Sequence, residues 1–560
     1  MNGEQAPIEP SAAPRNWAVV PALPGKAATA AAALSAVALG GWAFHSFIAA
    51  PWLPMWDESF HHTWALRIWR DLVRLDLFGL LRDTLHQQLN PFIGSWIGGL
   101  ALLVAGPAHG VTRAASLLAG FAGCAALGKL AADVAGENRW DAPACAVVLW
   151  AASPMFLFYA SRSLLDAYAL LATALCLIAV VRFSRAPSRS TGFAAGLLAG
   201  LTFLTKYNVG ILLMAAIGLG LVLPQLIRQF RSDHRAIWEP YLRPWAVLVA
   251  MPVVCVAGSL MLDGARNMMG FLRAFPFYPL TPAEHLLFYP QALVEDYVAA
   301  PWLAAVPIAT LLFWLLRGWG DAAVRVPLLY VLLNLAGATA HSTKDGRLIW
   351  GAVGVTFALT GALVARALAR ASARDRVILW TVQLAVFAAA LWYSTSAALN
   401  FALRTQPASA PVAQQALTQA LAFIRQNIDQ KQPIFYGGMA DWGVNPHMLR
   451  QALWAPPQEP EPDLRELPYA GGPAEFGYSP EPSPRYPELL RKLLEAEPSA
   501  TLLLTRHAPG SAFRWRLYPW IFAWQENYCA AAQQLPGWMR VARLDTRAGL
   551  EVEIYRRQLR

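Results

Sequence analysis

Apolar residues in this chain do not alternate; they gather in long blocks broken by short polar turns. The blocks lie near 27–50, 113–132, 142–160, 166–182, 191–205, 207–224, 244–262, 299–316, 325–340, 348–368 and 377–397. A helix needs about 20 apolar residues to cross the hydrocarbon core. The pattern predicts a polytopic α-helical membrane protein with about eleven spans. Arginine and lysine orient it. Loops Lys129–Arg139, Arg182–Arg189, Arg228–Arg243, Arg317–Arg325 and Arg366–Arg376 are all basic and alternate with the loops of the other side. Basic loops stay cytoplasmic. The N-terminus is therefore expected inside and the C-terminal tail outside. The stretch 91–106, PFIGSWIGGLALLVAG, is apolar but short. A full crossing there would invert every later loop, so a re-entrant or interfacial outer helix is expected.

The outer loop 51–91 carries a helical period of its own. Ala65, Ile68, Trp69, Leu72 and Leu75 share one face, and Arg67, Arg70, Asp71 and Arg74 the other. This predicts an amphipathic helix over 59–76 in the headgroup plane. Beyond residue 400 the blocks shorten while proline and charge rise. Strands are expected at 434–438, 501–505 and 552–557, a helix at 412–427, and a Pro/Glu-rich loop at 455–487. The expected organisation is a cytoplasmic N-terminus at 1–26 that is disordered, a membrane domain at 27–400, and a small C-terminal α/β extracytoplasmic domain at 401–560.

Composition narrows the function classes. The chain has 560 residues, is 56% hydrophobic and only 14% charged, well below the roughly 25% of soluble domains. The net charge of +10 sits in the short turns, so it orients the chain in the membrane and does not imply nucleic acid. Four of the five cysteines lie in apolar blocks without metal spacing, and Cys529 has no polar-region partner. No structural disulfide is expected.

Ionisable residues at the outer ends of the blocks are the candidate chemistry. Asp57 and Glu58 follow the first block in MWDESFHH. Arg162 and Asp166 flank the turn in YASRSLLDAYALL, Lys206 lies in GLTFLTKYNVG, and Lys344 and Arg347 lie in HSTKDGRLIWG. Charges at membrane depth are costly and mark function by default. Lysine is rare, six residues against thirty-nine arginines, yet Lys206 and Lys344 both fall at outer turns. Ammonium groups suit a phosphate leaving group, and a carboxylate suits deprotonation of a hydroxyl. Simpler roles compete for each residue. Asp57 could cap the loop helix and Glu58 complement its dipole. Arg162 and Asp166 could pair at i, i+4, and Lys206, Lys344 and Arg347 could snorkel to headgroups. His61 and His62 could join a metal site with Asp57, although interfacial histidines more often bind nothing.

The acidic pair after the first span, the Arg-x-x-x-Asp opening the fourth, the Gly-Leu-x-x-Leu-Thr-Lys turn and the late Lys-x-x-Arg turn occur in that order. Together, over roughly 27–400, they resemble the GT-C superfamily of membrane glycosyltransferases. The likeness is strongest to the branch of protein O-mannosyltransferases and bacterial lipid A aminoarabinose transferases. The resemblance implies inverting transfer from a polyprenyl-phosphate sugar to a lipid, glycan or protein hydroxyl at the outer face of the bacterial inner membrane. Undecaprenyl phosphate is the expected carrier and the C-terminal domain the periplasmic part. Asp57 matches the catalytic acid, Glu58 its neighbour, and Arg162 with Asp166 a second loop motif. Lys206, Lys344 and Arg347, with Arg162, match donor phosphate-binding positions. No cofactor is firmly implied; some relatives use a divalent metal such as Mg or Mn. Two motifs depart from the pattern: Asn90-Pro91-Phe92 stands where relatives often have His-Pro-Pro, and Arg347-Leu348-Ile349-Trp350 lacks the usual Tyr and Pro. They bear on donor and acceptor identity. A transporter or flippase would place its polar residues at the midplane, in inverted repeats. A non-catalytic scaffold would tolerate neutralising Asp57, Lys206 and Lys344.

Overall fold

The fold comes from a computed structural model that describes residues 56–87, 90–136, 142, 146, 153–232, 242–265, 281–298, 301–341, 345–370, 410–438, 444–454, 460–467, 486–508 and 519–558. The expected blocks at 27–50 and 377–397, the N-terminal segment 1–26 and Lys344 lie outside them.

The first loop folds as α1 (Trp56–Arg74), α2 (Leu77–Leu85) and α3 (Ile93–Ala105). The bundle follows as α4 (His109–Ala135), α5 (Pro154–Ala160), α6 (Leu165–Arg185), α7 (Arg189–Thr205), α8 (Tyr207–Ile217), α9 (Leu223–Ser232) and α10 (Leu242–Ser259). It ends with α11 (Pro282–Ala292), α12 (Ala305–Arg317), α13 (Ala322–Ala340) and α14 (Trp350–Arg370). Among the described residues, five helices are long and apolar enough to cross a membrane: His109–Ala135, Leu165–Arg185, Tyr207–Arg228, Ala322–Ala340 and Gly346–Ala369. α3 is apolar but only 13 residues long. At 1.5 Å per residue it reaches about 20 Å, short of a crossing.

Small residues let these helices approach closely, as van der Waals packing in a bilayer requires. Gly192, Gly196 and Gly200 of α7 each sit where a Cβ would strike α10, at the Pro244 carbonyl, at the Leu248 carbonyl 2.6 Å away and at Cys255 Sγ. At the far end of the bundle three basic turns meet. The Arg366 guanidinium donates to the Val134 carbonyl at 2.6 Å and lies 3.2 Å from Asp321. Val134 belongs to the last turn of α4, which ends on Gly136 at φ +81°. A cation on these unpaired carbonyls answers the negative end of the helix dipole.

The predicted loop helix exists, but its surroundings differ. α1 spans 56–74, and both its faces are covered. Ala65 and Ile68 pack on α3, where Gly98 and Gly99 leave no room for side chains. Arg70 and Asp71, expected to face water, are buried, and Arg70 bridges Asp71 and Asp83 at 2.6 and 2.9 Å. Periodicity reports a face but not what lies against it. The exposed apolar surface begins where α1 stops, at Leu75 (φ +53°). It continues on α2 with Leu77, Phe78 (88% exposed) and Leu81, the pattern of a helix lying at a membrane surface.

The C-terminal unit contains α15 (Ala410–Asn427), β1 (Ile434–Gly437), α16 (Pro446–Leu453), β2 (Leu464–Glu466), α17 (Tyr486–Glu495), β3 (Thr501–His507), α18 (Pro519–Gln533), β4 (Trp538–Asp545) and β5 (Leu550–Arg557). The sheet order is β2-β1-β3-β5-β4, parallel across β2, β1 and β3 and antiparallel beyond. β1, β3, β5 and α15 fall where the pattern put them, with Ala416, Ala420 and Ile424 buried. β2 lies inside the expected loop 455–487. Three residues are too few to show a period.

Packing of α1 on α3 gives a direct test. A Cβ at Gly98 would lie 2.8 Å from that of Ala65. Gly98→Leu is expected to destabilise the protein by about 1–3 kcal/mol, whereas Val104→Ala on the exposed side of α3 stays within about 0.5 kcal/mol. Thermal unfolding of the detergent-solubilised protein checks both.

Candidate functional site

Of the charged residues singled out in the sequence, the described ones (Asp57, Glu58, Arg162, Asp166, Lys206 and Arg347) gather at one end of the bundle, each delivered by a helix start or break. Asp57 and Glu58 occupy the first turn of α1, where the helix dipole favours negative charge. Neighbours on a helix point about 100° apart, so the two carboxylates part company.

Glu58 turns inward and is fully buried. Arg113, near the start of α4, donates Nε to it at 2.5 Å and Nη2 at 3.1 Å. Arg162 lies 3.4 Å away, and the Ser163 backbone N–H donates at 3.3 Å. Burial pushes the Glu58 carboxyl up, but Arg113 and Arg162 outweigh it and hold the group well below the usual carboxylate range. Arg162 is itself entirely buried in the turn before α6; burial draws it down, against Glu58, to about 10. The i, i+4 pair of Arg162 with Asp166 does not form. α6 starts only at Leu165, so Arg162 is not on the helix that such a pair requires.

Asp57 faces the other way, with 39% of its side chain exposed. Arg347 reaches it at 2.5 Å and holds Asp345 at 2.7 Å through Nε. Arg347 is set by a single 3₁₀ turn, Gly346–Ile349, whose N-cap Asp345 accepts the Arg347 backbone N–H at 3.0 Å. The Tyr297 hydroxyl donates to the Gly346 carbonyl at 2.5 Å. Asp166, in the first turn of α6, accepts from Lys206 Nζ at 2.5 Å. Lys206 is the extended residue at which α7 gives way to α8. The two ion pairs adjoin: Arg347 and Lys206 both act on Asp57 and on His61. Burial pushes Asp57 up, yet Arg347 and His61 draw it below the ordinary value.

His61 lies one helical turn beyond Asp57 and is buried. Burial lowers it to about 4 against the pull of Asp57 and Asp166, so it is neutral at physiological pH. Among the described residues its Nδ1 has no hydrogen-bond partner. His62 turns toward α4 and meets Thr112 Oγ1 at 3.1 Å. Among the described residues no group of three or more His, Cys, Asp or Glu is placed to hold a metal.

Sequence reasoning missed Arg113, Asp345 and the C-terminal residues beside α1, and weighed His61 as a metal ligand or a plain interfacial histidine, not as a neighbour of the Asp57 carboxylate. Arg113 carried a signal: it opens an apolar block on the side where the positive-inside rule expects no arginine.

Comparison with known proteins agrees with this architecture. A family model described as dolichyl-phosphate-mannose-protein mannosyltransferase matches residues 90–255, a region that holds Arg113, Arg162, Asp166 and Lys206 but not Asp57 or Arg347. No curated protein matches the chain in sequence. Among solved structures, ArnT from Cupriavidus metallidurans in the apo state superposes with a TM-score of 0.60 at 18% identity, over 94% of this chain and 98% of that one. The same protein bound to undecaprenyl phosphate gives 0.59 at 17%, over 95% and 98%. The oligosaccharyltransferase AglB from Archaeoglobus fulgidus, in complex with an inhibitory peptide and a dolichol-phosphate, gives 0.51 at 13%, over 81% and 66%.

Removing one partner of a buried ion pair strands the other. Arg113→Leu is expected to cost about 3–5 kcal/mol, read as loss of thermal stability. Glu58→Gln, which takes away the carboxylate that Arg113 and Arg162 share, is expected to cost no less than Arg113→Leu in the same measurement.

Proposed function

The chain has the GT-C membrane-glycosyltransferase fold in its ArnT-like form, and from that premise we propose that it moves a sugar from a polyprenyl-phosphate donor to an acceptor hydroxyl. The observation that carries this reading is the 2.5 Å contact between Asp57 and Arg347. It joins a partly open carboxylate to a cation suited to phosphate.

The chemistry follows from the residues. The acceptor hydroxyl oxygen attacks the anomeric carbon while its proton passes to Asp57. The bond from that carbon to the phosphate oxygen breaks on the opposite side, and the lipid phosphate leaves with the electron pair. The anomeric centre is thereby inverted. Lys206 and Arg347, with Lys344 of the same sequence motif, neutralise the phosphate charge. Asp166 orients Lys206. Glu58 and Arg162, buried behind this layer, hold α1 and the α5–α6 turn in place. Undecaprenyl phosphate is the carrier this reading favours, and its presence in the ArnT structure supports that choice. Under this reading the protein is an inner-membrane enzyme with a periplasmic C-terminal domain.

At rest Asp57 and Asp345 both engage Arg347, so an incoming phosphate competes with two carboxylates for one guanidinium. Donor binding would loosen the contact that ties up the base. The donor then precedes productive use of the acceptor.

Two outcomes are expected. With a radiolabelled undecaprenyl-phosphate sugar pool in membranes, and lipid, glycan and protein fractions counted separately, Asp57→Asn should cut transfer about 10²–10⁴-fold. The same variant should bind undecaprenyl phosphate more tightly than wild type, because Arg347 loses a competing anion; equal transfer by both proteins would sink the mechanism. The second concerns pH. The active base is the ionised carboxylate, and Asp57 sits below the ordinary carboxylate value. Activity should therefore persist as pH falls to that value and be lost only beneath it. Arg347→Gln should move the acidic limb of kcat upward.

A further inference from the structure

α1 is held from two sides, and the second side belongs to the C-terminal unit. Ser59, Phe60, Thr63 and Arg67 recur at helical spacing on one face of α1, and α16 lies against them. The Gln451 side-chain amide donates to the Ser59 carbonyl at 2.8 Å and to Thr63 Oγ1 at 3.0 Å. The His447 ring meets Phe60 edge-on, with centroids 4.8 Å apart. Arg67 places its fork on Glu461, with contacts at 2.7 and 2.5 Å. Arg450 of α16 approaches the same carboxylate at 3.5 Å and bonds the Leu464 carbonyl at the start of β2 at 2.6 Å. Trp454, at the end of α16, is buried with Ala65, Leu66, Trp69 and Leu102. A planar fork on a carboxylate fixes direction as well as distance. These contacts begin two residues from Asp57, on the helix whose first turn must present it to Arg347.

We propose that Glu461 and Gln451 are positioning residues for sugar transfer: through Arg67 and the Ser59 carbonyl they fix the roll and height of α1, and so the place of Asp57. The proposal rests on the function given above. The C-terminal unit acts on the step that uses the base. The phosphate-binding cations stand on other elements, Lys206 between α7 and α8 and Arg347 before α14.

The test uses the full-length protein in lipid nanodiscs, with wild type, Glu461→Gln, Gln451→Leu and an Arg67→Gln, Glu461→Gln double variant. Four quantities are measured: kcat, the Kd for undecaprenyl phosphate, the pH of the acidic limb, and Tm. A displacement near 1 Å can cost about 10²-fold in rate. The expected result is a loss in kcat approaching that size, with the Kd within about twofold of wild type. The acidic limb should move upward as Asp57 leaves Arg347, and the double variant should be no worse than Glu461→Gln, the mark of coupled residues. Unchanged kcat and an unmoved limb overturn the proposal. A loss of kcat that comes with lost phosphate binding and a collapsed Tm also overturns it, because the contacts would then serve only folding. Wild type that transfers sugar from no polyprenyl-phosphate donor defeats the function and takes the positioning role with it. Wild-type transfer with unaffected variants defeats the positioning role alone.

Discussion

A carboxylate stripped of water stands at the centre of this molecule. Glu58 is fully buried, and Arg113, Arg162 and the Ser163 N–H surround it and favour its anionic form. The desolvation cost of such a group runs to several kcal/mol, and these partners come from α4 and the turn ahead of α6. The ionised state of Glu58 therefore demands that α1, α4 and that turn meet in one arrangement. Asp57 inherits its place from this constraint. It is the next residue on a helix whose rotation its neighbour has already fixed.

Charge balance describes the layer in front. Lys206 is neutralised by Asp166, while Arg347 is shared between Asp57 and Asp345. A site of this kind is organised before any anion arrives, because carboxylates hold the cations where a phosphate would later sit. The cost is competition, and it falls on Arg347, which has the most partners. The geometry favours a ligand able to outbid two carboxylates, which a phosphate with several acceptor oxygens can do through a planar fork.

Much of this was legible in the chain. Charged residues at the ends of apolar blocks must sit at the ends of a bundle, and the alternation of basic turns assigns Asp57, Arg162, Asp166, Lys206 and Arg347 to one end, where they are found. What stayed hidden was long-range. Glu58 and Arg113 lie 55 positions apart, and Thr63 and His447 lie 384 apart. Side-chain periodicity carries no record of such partners, so Arg70 and Asp71 looked solvent-facing when the partners that cover them belong to other segments. β2 escaped because it is short, and Arg113 because an apolar block absorbed it.

The exposed ridge of Leu77, Phe78 and Leu81 on α2 has a mechanical meaning. It works as a keel. Apolar side chains on a short helix settle at a fixed level of the headgroup boundary, and α2 joins α1 through Leu75 and Asp76 alone, in a tight turn closed by the Asp76 N–H on the Asp71 carbonyl. The waterline of the molecule is thus set within a few residues of the helix that carries Asp57. A lipid-borne phosphate travels at the level of the headgroups, so under the proposed function a protein that floats at a constant draught would meet it at the same height on every encounter.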